Sequence, residues 1–375
     1  MVPRWIWRGP TERSAHEWIG KNGETVDALV AATNDGNVRK IAVKGRLANA
    51  PSIRLSPGQS LAGAGAEAGV TFAAGTDGLQ LSCDNRICNI CLDTSPDKRA
   101  IFNDTSVASL GQTELSAVTT TGCVQILAID KLRSGHIEVN GLDIVAADAR
   151  AAPDRPRDFN VDVLQGAFTL WNRQTDQNVT ISANLVGLSA GRVGAPVRGS
   201  GILVSGAGNA GGRLMVKQLI TGAIHTDGGI AVHTPDKITG GVFTSYGTHV
   251  DVVINRGPIV THGPNDMVLD NWGVVDRWTA EEKLTSHGPS GIGFVNFGTV
   301  NELKINAPIE TFGEGARGFN VYDGTVKLAV FDRVTTHAGG AIGIQFTQPI
   351  GRLVVHRGIE TFGGEGASRL SRENT

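Results

Sequence analysis

A cluster of carboxylates in the C-terminal half is the part of this sequence best equipped for chemistry. Five acidic residues fall within 17 positions: Asp266, Asp270, Asp276, Glu281 and Glu282. Two carboxyl groups about 5 Å or about 6.5–9.5 Å apart can cleave a glycosidic bond, because one protonates the leaving oxygen while the other acts as base or nucleophile. We interpret Asp270 as the leading catalytic candidate, supported by Asp266 and by Asp323. The alternative for each is a solvated surface position.

An aromatic row accompanies these carboxylates. Tyr246, Trp272, Phe297 and Tyr322 recur about one repeat apart and include both tyrosines of the chain. In one interpretation, Tyr246, Trp272 and Tyr322 are platforms for sugar rings, and the polar side chains beside them bind hydroxyl groups. These predicted polar contacts are Asn320, Gln345 and Arg317. In the other interpretation, the aromatic rings stack on one another beneath a loop or a neighbouring subunit.

A repeat of 25 residues must position these groups. It is carried by Ile259, Leu284, Ile309, Val334 and Ile359 and by similar series two to four positions later. A fixed period of this length indicates a solenoid. Within each unit the apolar residues alternate with a period of two, as in Leu303-x-Ile305, which is typical of strands rather than helices. The sequence therefore predicts an all-β solenoid of coils of about 25 residues, with Leu284, Ile309, Val334 and Ile359 stacked inside.

The alternation also predicts which side chains face inward after each glycine-rich bend. Leu269, Phe294, Phe319 and Ile344 form the inward series, followed two places later by Asn271 and Asn296, which we expect to stack as an asparagine pair. The opposite parity, expected to face solvent, contains Asp270 and Asn320. It also contains Val268, Gly293, Gly318 and Gly343, and we expect these glycines to clear space beside the aromatic row.

The chain divides into three predicted regions. Residues 1–37 form an N-terminal arm and a short helix at about 25–32 that begins at the N-cap Thr25 and plugs the open end of the core. Residues 38–365 form the solenoid, and residues 366–375 form a polar tail. Insertions at 148–160 and 225–240 break the period and are expected to form walls of a groove. Because the last coil has no obvious cap, we expect a homo-oligomer, and the resemblance to some fructan-processing β-helix enzymes favours a trimer.

This strand-only repeat resembles the right-handed parallel β-helix of the pectin-lyase-like superfamily, over nearly the whole chain. There is also a fainter similarity to the polygalacturonases of that superfamily, in which Asp residues precede a Gly-His-Gly-x-Ser segment and a basic residue. Here Asn265-Asp266 precedes Ser286-His287-Gly288-Pro289-Ser290, and Arg317 follows. The second adjacent Asp is absent. The resemblance implies carbohydrate chemistry and adds His287 to the candidate catalytic residues.

Composition excludes several other classes. The 34 Lys and Arg nearly balance the 36 Asp and Glu, which argues against nucleic acid as a partner. No apolar stretch approaches the ~20 residues of a membrane span, and no signal peptide is visible, so we expect a cytoplasmic protein, or a secreted one if a leader is missing. Three of the four cysteines read C-x4-C-x2-C without a second pair, and no phosphate-binding loop occurs. We predict no metal site and no cofactor.

These observations favour an enzyme that cleaves or rearranges glycosidic bonds of an oligo- or polysaccharide through carboxylate acid/base chemistry. Two alternatives stay open. One is a lyase or epimerase acting on uronates, which requires a basic groove to stabilise the substrate carboxylate. The other is a non-catalytic β-helix that binds glycans or associates with itself.

Overall fold

The protein is a parallel β-solenoid with one short helix near its N-terminal end. The structure is a computed structural model and describes residues 21–367. Within this range the strands form sheets of 21 and 13 strands, and every pairing between named strands is parallel except that of one hairpin. The 25-residue repeat is therefore confirmed as a stack of coils.

The first sheet covers two sides of the coils. Its strands are β1 (Lys21–Gly23), β2 (Lys40–Val43), β3 (Arg46–Ala50), β5 (Ser60–Gly63), β6 (Gly69–Phe72), β8 (Arg86–Asp93), β10 (Ser109–Thr121), β12 (Ser134–Ala146), β16 (Thr180–Ala190), β17 (Val197–Arg198), β19 (Arg213–Asp227), β21 (Thr248–Asn255), β22 (Ile259–Thr261), β24 (Val274–Ala280), β25 (Leu284–Ser286), β27 (Thr299–Ile305), β28 (Ile309–Thr311), β30 (Thr325–Phe331), β31 (Val334–Thr336), β33 (Arg352–Val355) and β34 (Ile359–Thr361).

The second sheet carries the surface of functional interest. Its continuous path contains β4 (Ile53–Arg54), β7 (Leu79–Leu81), β9 (Arg99–Asn103), β11 (Cys123–Ala128), β15 (Gly166–Asn172), β18 (Ser200–Ser205), β20 (Lys237–Thr244), β23 (Asp266–Asn271), β26 (Ile292–Asn296), β29 (Arg317–Val321) and β32 (Ile342–Phe346). Off this path lie β13 (Arg157–Asp158) and β14 (Val161–Val163), which form the antiparallel hairpin. Each C-terminal coil thus contributes one strand to this sheet and two to the first.

The inward stack that sets the repeat is present. Leu284 pairs with Ile309, Ile309 with Val334, and Val334 with Ile359. The first three of these side chains are fully buried, whereas Ile359 is 46% exposed because no further coil follows it in the described residues. The asparagine pair is also confirmed: Asn271 Nδ2 donates to Asn296 Oδ1 at 2.8 Å, and both side chains are buried.

The direction of the glycine series was predicted wrongly. A Cβ atom added at Gly293 would lie 2.3 Å from Ile309 Cγ2, and one at Gly318 would lie 2.1 Å from Val334 Cγ1. The corresponding residue one coil earlier, Val268, belongs to the interior core together with its neighbour Leu269. The glycines therefore make room for the inward stack and do not clear space outside.

The N-terminal helix α1 (Val26–Asn34) begins as predicted. Thr25 is its N-cap, and the Thr25 hydroxyl accepts a hydrogen bond from the backbone N–H of Ala28. Leu29 and Ala32 are fully buried and join the interior core. The helix thus covers apolar interior at this end of the solenoid.

Replacing Gly293 with alanine is expected to lower the free energy of unfolding by about 1–3 kcal/mol, because the added methyl group overlaps Ile309 in a filled interior. Urea unfolding followed by circular dichroism measures this change. Gly36→Ala is the matched control, since a Cβ there meets no atom within 4 Å. Equal stability of the two variants would contradict the inward direction of Gly293.

Candidate functional site

A loop between β12 and β15 crosses the outer face of the second sheet and encloses the candidate site. The loop carries the hairpin β13–β14, and β14 continues as a parallel partner of β20. The hydroxyl of Tyr246 fixes the hairpin, because it accepts from the N–H of Arg157 at 2.8 Å and donates to the Arg157 carbonyl at 3.0 Å. The predicted wall at residues 148–160 thus extends to residue 163 and covers part of the aromatic row.

The turn of this hairpin places a strained aromatic residue over the sheet. Phe159 and Asn160 have φ angles of 50° and 63°, which a two-residue hairpin turn requires but which phenylalanine rarely adopts. Such a conformation costs about 1–3 kcal/mol. The Phe159 ring compensates by packing 5.2 Å from the ring of Trp272 and 4.5 Å from that of Phe297, measured between centroids.

A pocket of about 150 Å³ lies beneath this loop. At about 30 Å³ of liquid volume for each water molecule, this volume corresponds to about five waters. Its lining is mostly apolar and comes from the hairpin, from Pro235 and the start of β20, and from three successive coils. The lining residues are Phe159, Val161, Pro235, Ile238, Asn265, Met267, Asp270, Trp272, Ser290, Ile292, Val295, Phe297, Arg317 and Tyr322.

Asp270 is the carboxylate that reaches this pocket. Its side chain is 1% exposed, and neither carboxylate oxygen has a hydrogen-bond partner. Burial raises the pKa of Asp270 well above its usual range. The N–H groups of Trp272 and Asn271 lie near enough to oppose this rise in part, but neither makes a hydrogen bond to the carboxylate. The group is thus a buried acid without a protein partner.

The aromatic row exists, and its rings contact one another. Tyr246 stacks on Trp272 at 6.1 Å between centroids, Phe297 meets Trp272 edge-on at 5.6 Å, and Phe297 stacks on Tyr322 at 5.0 Å. Trp272 is only 6% exposed, and its buried indole N–H has no hydrogen-bond partner. Trp272, Phe297 and Tyr322 therefore form a wall of the pocket, which Tyr246 does not line, and the face of Trp272 is not an open platform for a sugar.

The predicted polar contacts are divided between the pocket and its surroundings. Arg317 lines the pocket, donates through Nε to Gln345 Oε1 at 2.8 Å, and lies 5.9 Å from the centroid of the Tyr322 ring. Asn320 lies in register with Val295 and is fully buried, and neither atom of its amide has a hydrogen-bond partner. Asn320 and Gln345 do not line the pocket. Gln345 is linked to it only by its hydrogen bond with Arg317.

The other catalytic candidates lie elsewhere. Asp266 is fully buried, and its carboxylate accepts hydrogen bonds from Thr226 Oγ1, Thr239 Oγ1 and the N–H of Gly228. Asp323 is exposed in a turn, where its Oδ1 accepts from the N–H of Gly324. Neither carboxylate lines the pocket with Asp270.

His287 belongs to a separate ladder of rings. Its imidazole stacks between those of His262, at 5.0 Å, and Phe312, at 5.1 Å, and the ladder continues through His337 to Phe362. Burial, together with the positive charge of its neighbours, lowers the pKa of His287. The similarity to a catalytic Gly-His-Gly segment therefore falls on a repeat element outside the pocket.

The apolar half of the pocket was not predicted from the sequence. Met267 and Ile292 lie on its sheet side, while Phe159, Val161 and Ile238 reach it from the loop side. Together with Trp272 and Val295, most of these residues form a second apolar cluster outside the solenoid core. An isolated Phe in a loop rich in Arg, Asp and Pro was the available indication that residue 159 has a packing role.

A more polar depression lies on the N-terminal side of the same loop. Four of its lining residues are aspartates: Asp77, Asp97, Asp148 and Asp154. Hydrogen bonds from Arg99, opposed by burial, lower the pKa of Asp77, and hydrogen bonds from Arg150 lower that of Asp148. Asp154 is paired with Arg173. With their pKa values lowered, Asp77 and Asp148 are poor donors of the proton that glycosidic cleavage requires.

Comparison with known proteins returns no match: no protein-family model, no curated protein and no solved structure matches this chain. In residues 21–367, no helix has the length and apolar character needed to span a bilayer. Fold and site define the protein as a parallel β-solenoid with a loop-covered apolar pocket that contains one buried acid.

Proposed function

We propose that this protein binds carbohydrate and that the pocket beneath the β13–β14 hairpin takes one sugar ring. The observation that carries the proposal is the Asp270 carboxyl group, which lines the pocket, is buried and has no protein partner. A buried polar group without a partner costs about 1–3 kcal/mol. A ligand hydroxyl group supplies the missing partner, so binding recovers this cost.

The polarity of the pocket supports a sugar ring. Its volume of about 150 Å³ corresponds to about five waters at liquid density, so the pocket encloses part of a ring and leaves the rest at its mouth. Sugars present apolar C–H faces together with hydroxyl groups, which matches an apolar lining with a few fixed polar groups. Because the loop covers one side of the pocket, the end of a glycan or a free monosaccharide fits better than the middle of a chain.

The composition of the pocket favours binding over hydrolysis. Cleavage of a glycosidic bond uses two carboxyl groups, and Asp270 is the only carboxylate among the residues that line this pocket. The resemblance of the 25-residue repeat to that of the pectin-lyase-like superfamily is compatible with a carbohydrate ligand, but a fold alone does not establish an activity.

A lyase or epimerase acting on a uronate is the second candidate. Arg317 and Asp270 line the same pocket. A guanidinium group binds a carboxylate, and burial raises the pKa of the Asp270 carboxyl group, which favours a role as proton donor. If the protein has this activity, Asp270→Asn abolishes formation of the unsaturated or inverted product and leaves binding of the uronate nearly intact.

The test of the binding function combines stability with affinity. Asp270→Val inserts the side chain that the next coil carries at the register partner, Val295. We expect the free energy of unfolding to rise by about 1–3 kcal/mol, since an unpartnered polar group is removed. Calorimetric titration with methyl glycosides of neutral hexoses and hexuronic acids is expected to show binding by the wild type and none by this variant.

Asp323→Asn is the control, because Asp323 is exposed and lies outside the pocket. We expect the glycan affinity and the free energy of unfolding of this variant to stay close to those of the wild type. A less stable Asp270→Val variant would show that Asp270 has a structural role. Unchanged affinity in that variant would exclude this pocket as the glycan site.

A further inference from the structure

A second group of side chains with potential chemistry lies on the outer face of the first sheet. His249 and Asp251 project from β21, and Asp276 projects from β24. One nitrogen of His249 and one oxygen from each carboxylate lie within 4.8 Å of one another. His249 also lines an open groove beside the aromatic row, together with Met215, Gly273 and Thr299. Of the three ligand residues, His249 is the one that lines this groove.

The register of the strands explains why the carboxylates meet. Val250 pairs with Val275, and Val252 pairs with Arg277, which places Asp251 directly beside Asp276 on the neighbouring strand. Neighbouring strands are about 4.7–4.9 Å apart, and like charges facing each other across strands are destabilising. A cation between the two carboxylates removes this repulsion.

The surrounding contacts orient the ligand atoms. Asn301 Nδ2 donates a hydrogen bond to Asp276 Oδ1 at 2.9 Å. The other carboxylate oxygen, Oδ2, lies 3.3 Å from His249 Nε2. Partners of this kind, which hold a ligand carboxylate in one orientation, are a regular part of metal sites. All three ligands also lie on paired strands, so the sheet fixes their spacing.

We propose that His249, Asp251 and Asp276 form a binding site for a divalent transition-metal ion such as Zn²⁺. One imidazole and two carboxylates are ligands that zinc accepts, and related ions such as Mn²⁺ and Co²⁺ take similar sets. Three protein ligands leave at least one coordination position of such an ion open. In residues 21–367 this is the one group of three such side chains close enough to share an ion.

The test is titration of the full chain with ZnCl₂ by calorimetry, together with the shift of the thermal unfolding midpoint. We expect one saturable site in the wild type and loss of that site in His249→Ala and Asp276→Asn. Asn301→Ala removes only the orienting hydrogen bond and is expected to weaken binding by about 10- to 100-fold. His136→Ala is the control: His136 lies 3.4 Å from Glu138 but belongs to no group of three.

Asp251→Asn distinguishes a metal site from an ordinary surface cluster, because its effect on the unfolding midpoint should have opposite signs without and with metal. Without metal the unfolding midpoint should rise, since the repulsion from Asp276 is removed. With Zn²⁺ the variant should show none of the further rise expected for the wild type. The proposal is overturned if Zn²⁺, Mn²⁺ and Co²⁺ show no saturable binding, or if His136→Ala weakens binding as much as His249→Ala does.

Discussion

Replacing Ile309 with alanine is expected to lower the free energy of unfolding by about 2–5 kcal/mol. Ile309 is fully buried between Leu284 and Val334 in the inward stack, and a Cβ at Gly293 would touch its Cγ2. Each coil packs closely on both neighbours, so the space left by the deleted atoms cannot readily collapse. Equilibrium unfolding in urea measures the effect.

The same stack supplies a matched control. Ile359 occupies the equivalent position two coils later but is 46% exposed. Ile359→Ala deletes the same atoms from a side chain that remains partly in water, so we expect a loss below about 1.5 kcal/mol. If the two alanine variants were equally stable, burial in the stack would not be the source of the stability.

The free energy of unfolding should also depend strongly on pH through Asp266. Burial, opposed by hydrogen bonds from Thr239 and Thr226, raises the pKa of Asp266 to about 7. The folded state therefore retains a proton that the unfolded state releases near pH 4. The stabilisation from this proton is fully present below pH 4 and is lost as the pH rises through 7. Between pH 5 and pH 8 the loss is roughly 2–3 kcal/mol.

Asp266→Asn isolates this contribution. An asparagine oxygen can still accept from Thr226 and Gly228, and its amide can donate to the hydroxyl of Thr239, so the variant resembles the protonated acid. We expect urea unfolding at pH 5 and pH 8 to show a much smaller loss in the variant than in the wild type. Identical pH dependence in both proteins would mean that Asp266 is ionised throughout.

Two histidines make the free energy of unfolding rise with pH, which is opposite to the effect of Asp266. For this reason the pH profile of the variant must be compared with that of the wild type. Burial lowers the pKa of His225 and of His287. The unfolded state therefore binds protons more readily than the folded state does. The stabilisation that comes from keeping these histidines neutral is present above about pH 6.5 and is lost as the pH falls below it. It partly masks the carboxylate effect in the wild-type profile but cancels in the difference between the two proteins.

Much of the architecture is determined by the sequence alone. A 25-residue period that preserves residue type can be satisfied only if equivalent residues stack on successive coils. For this reason the stack through Ile309, the asparagine pair of Asn271 and Asn296, and the N-cap at Thr25 follow from spacing and residue chemistry. The outward aromatic row follows as well, because its members also recur once per coil.

Local features that break the regular alternation had to be read from the tertiary structure. Val268 and Leu269 are adjacent, yet both side chains are fully buried in the interior core. Two consecutive residues of β23 thus point inward. Parity counted along the strand therefore placed Gly293 and Gly318 on the wrong face. The carboxylate of Asp266 is held by hydrogen bonds within the protein, whereas that of Asp270 lines the pocket, although only four positions separate the two residues.

The composition of the two candidate sites was also decided by folding. The loop with Phe159 is distant in sequence from Trp272, and no local pattern specifies that it crosses the sheet to cover this ring. The approach of Asp251 to Asp276 is implicit in the repeat, since they are 25 residues apart, but the reach of His249 depends on side-chain direction. The repeat fixes which residues share a stack, because stacking depends on chain period. Which carboxylates are buried, paired or open to a ligand depends on bends and loops, because these bring together residues that the period does not relate.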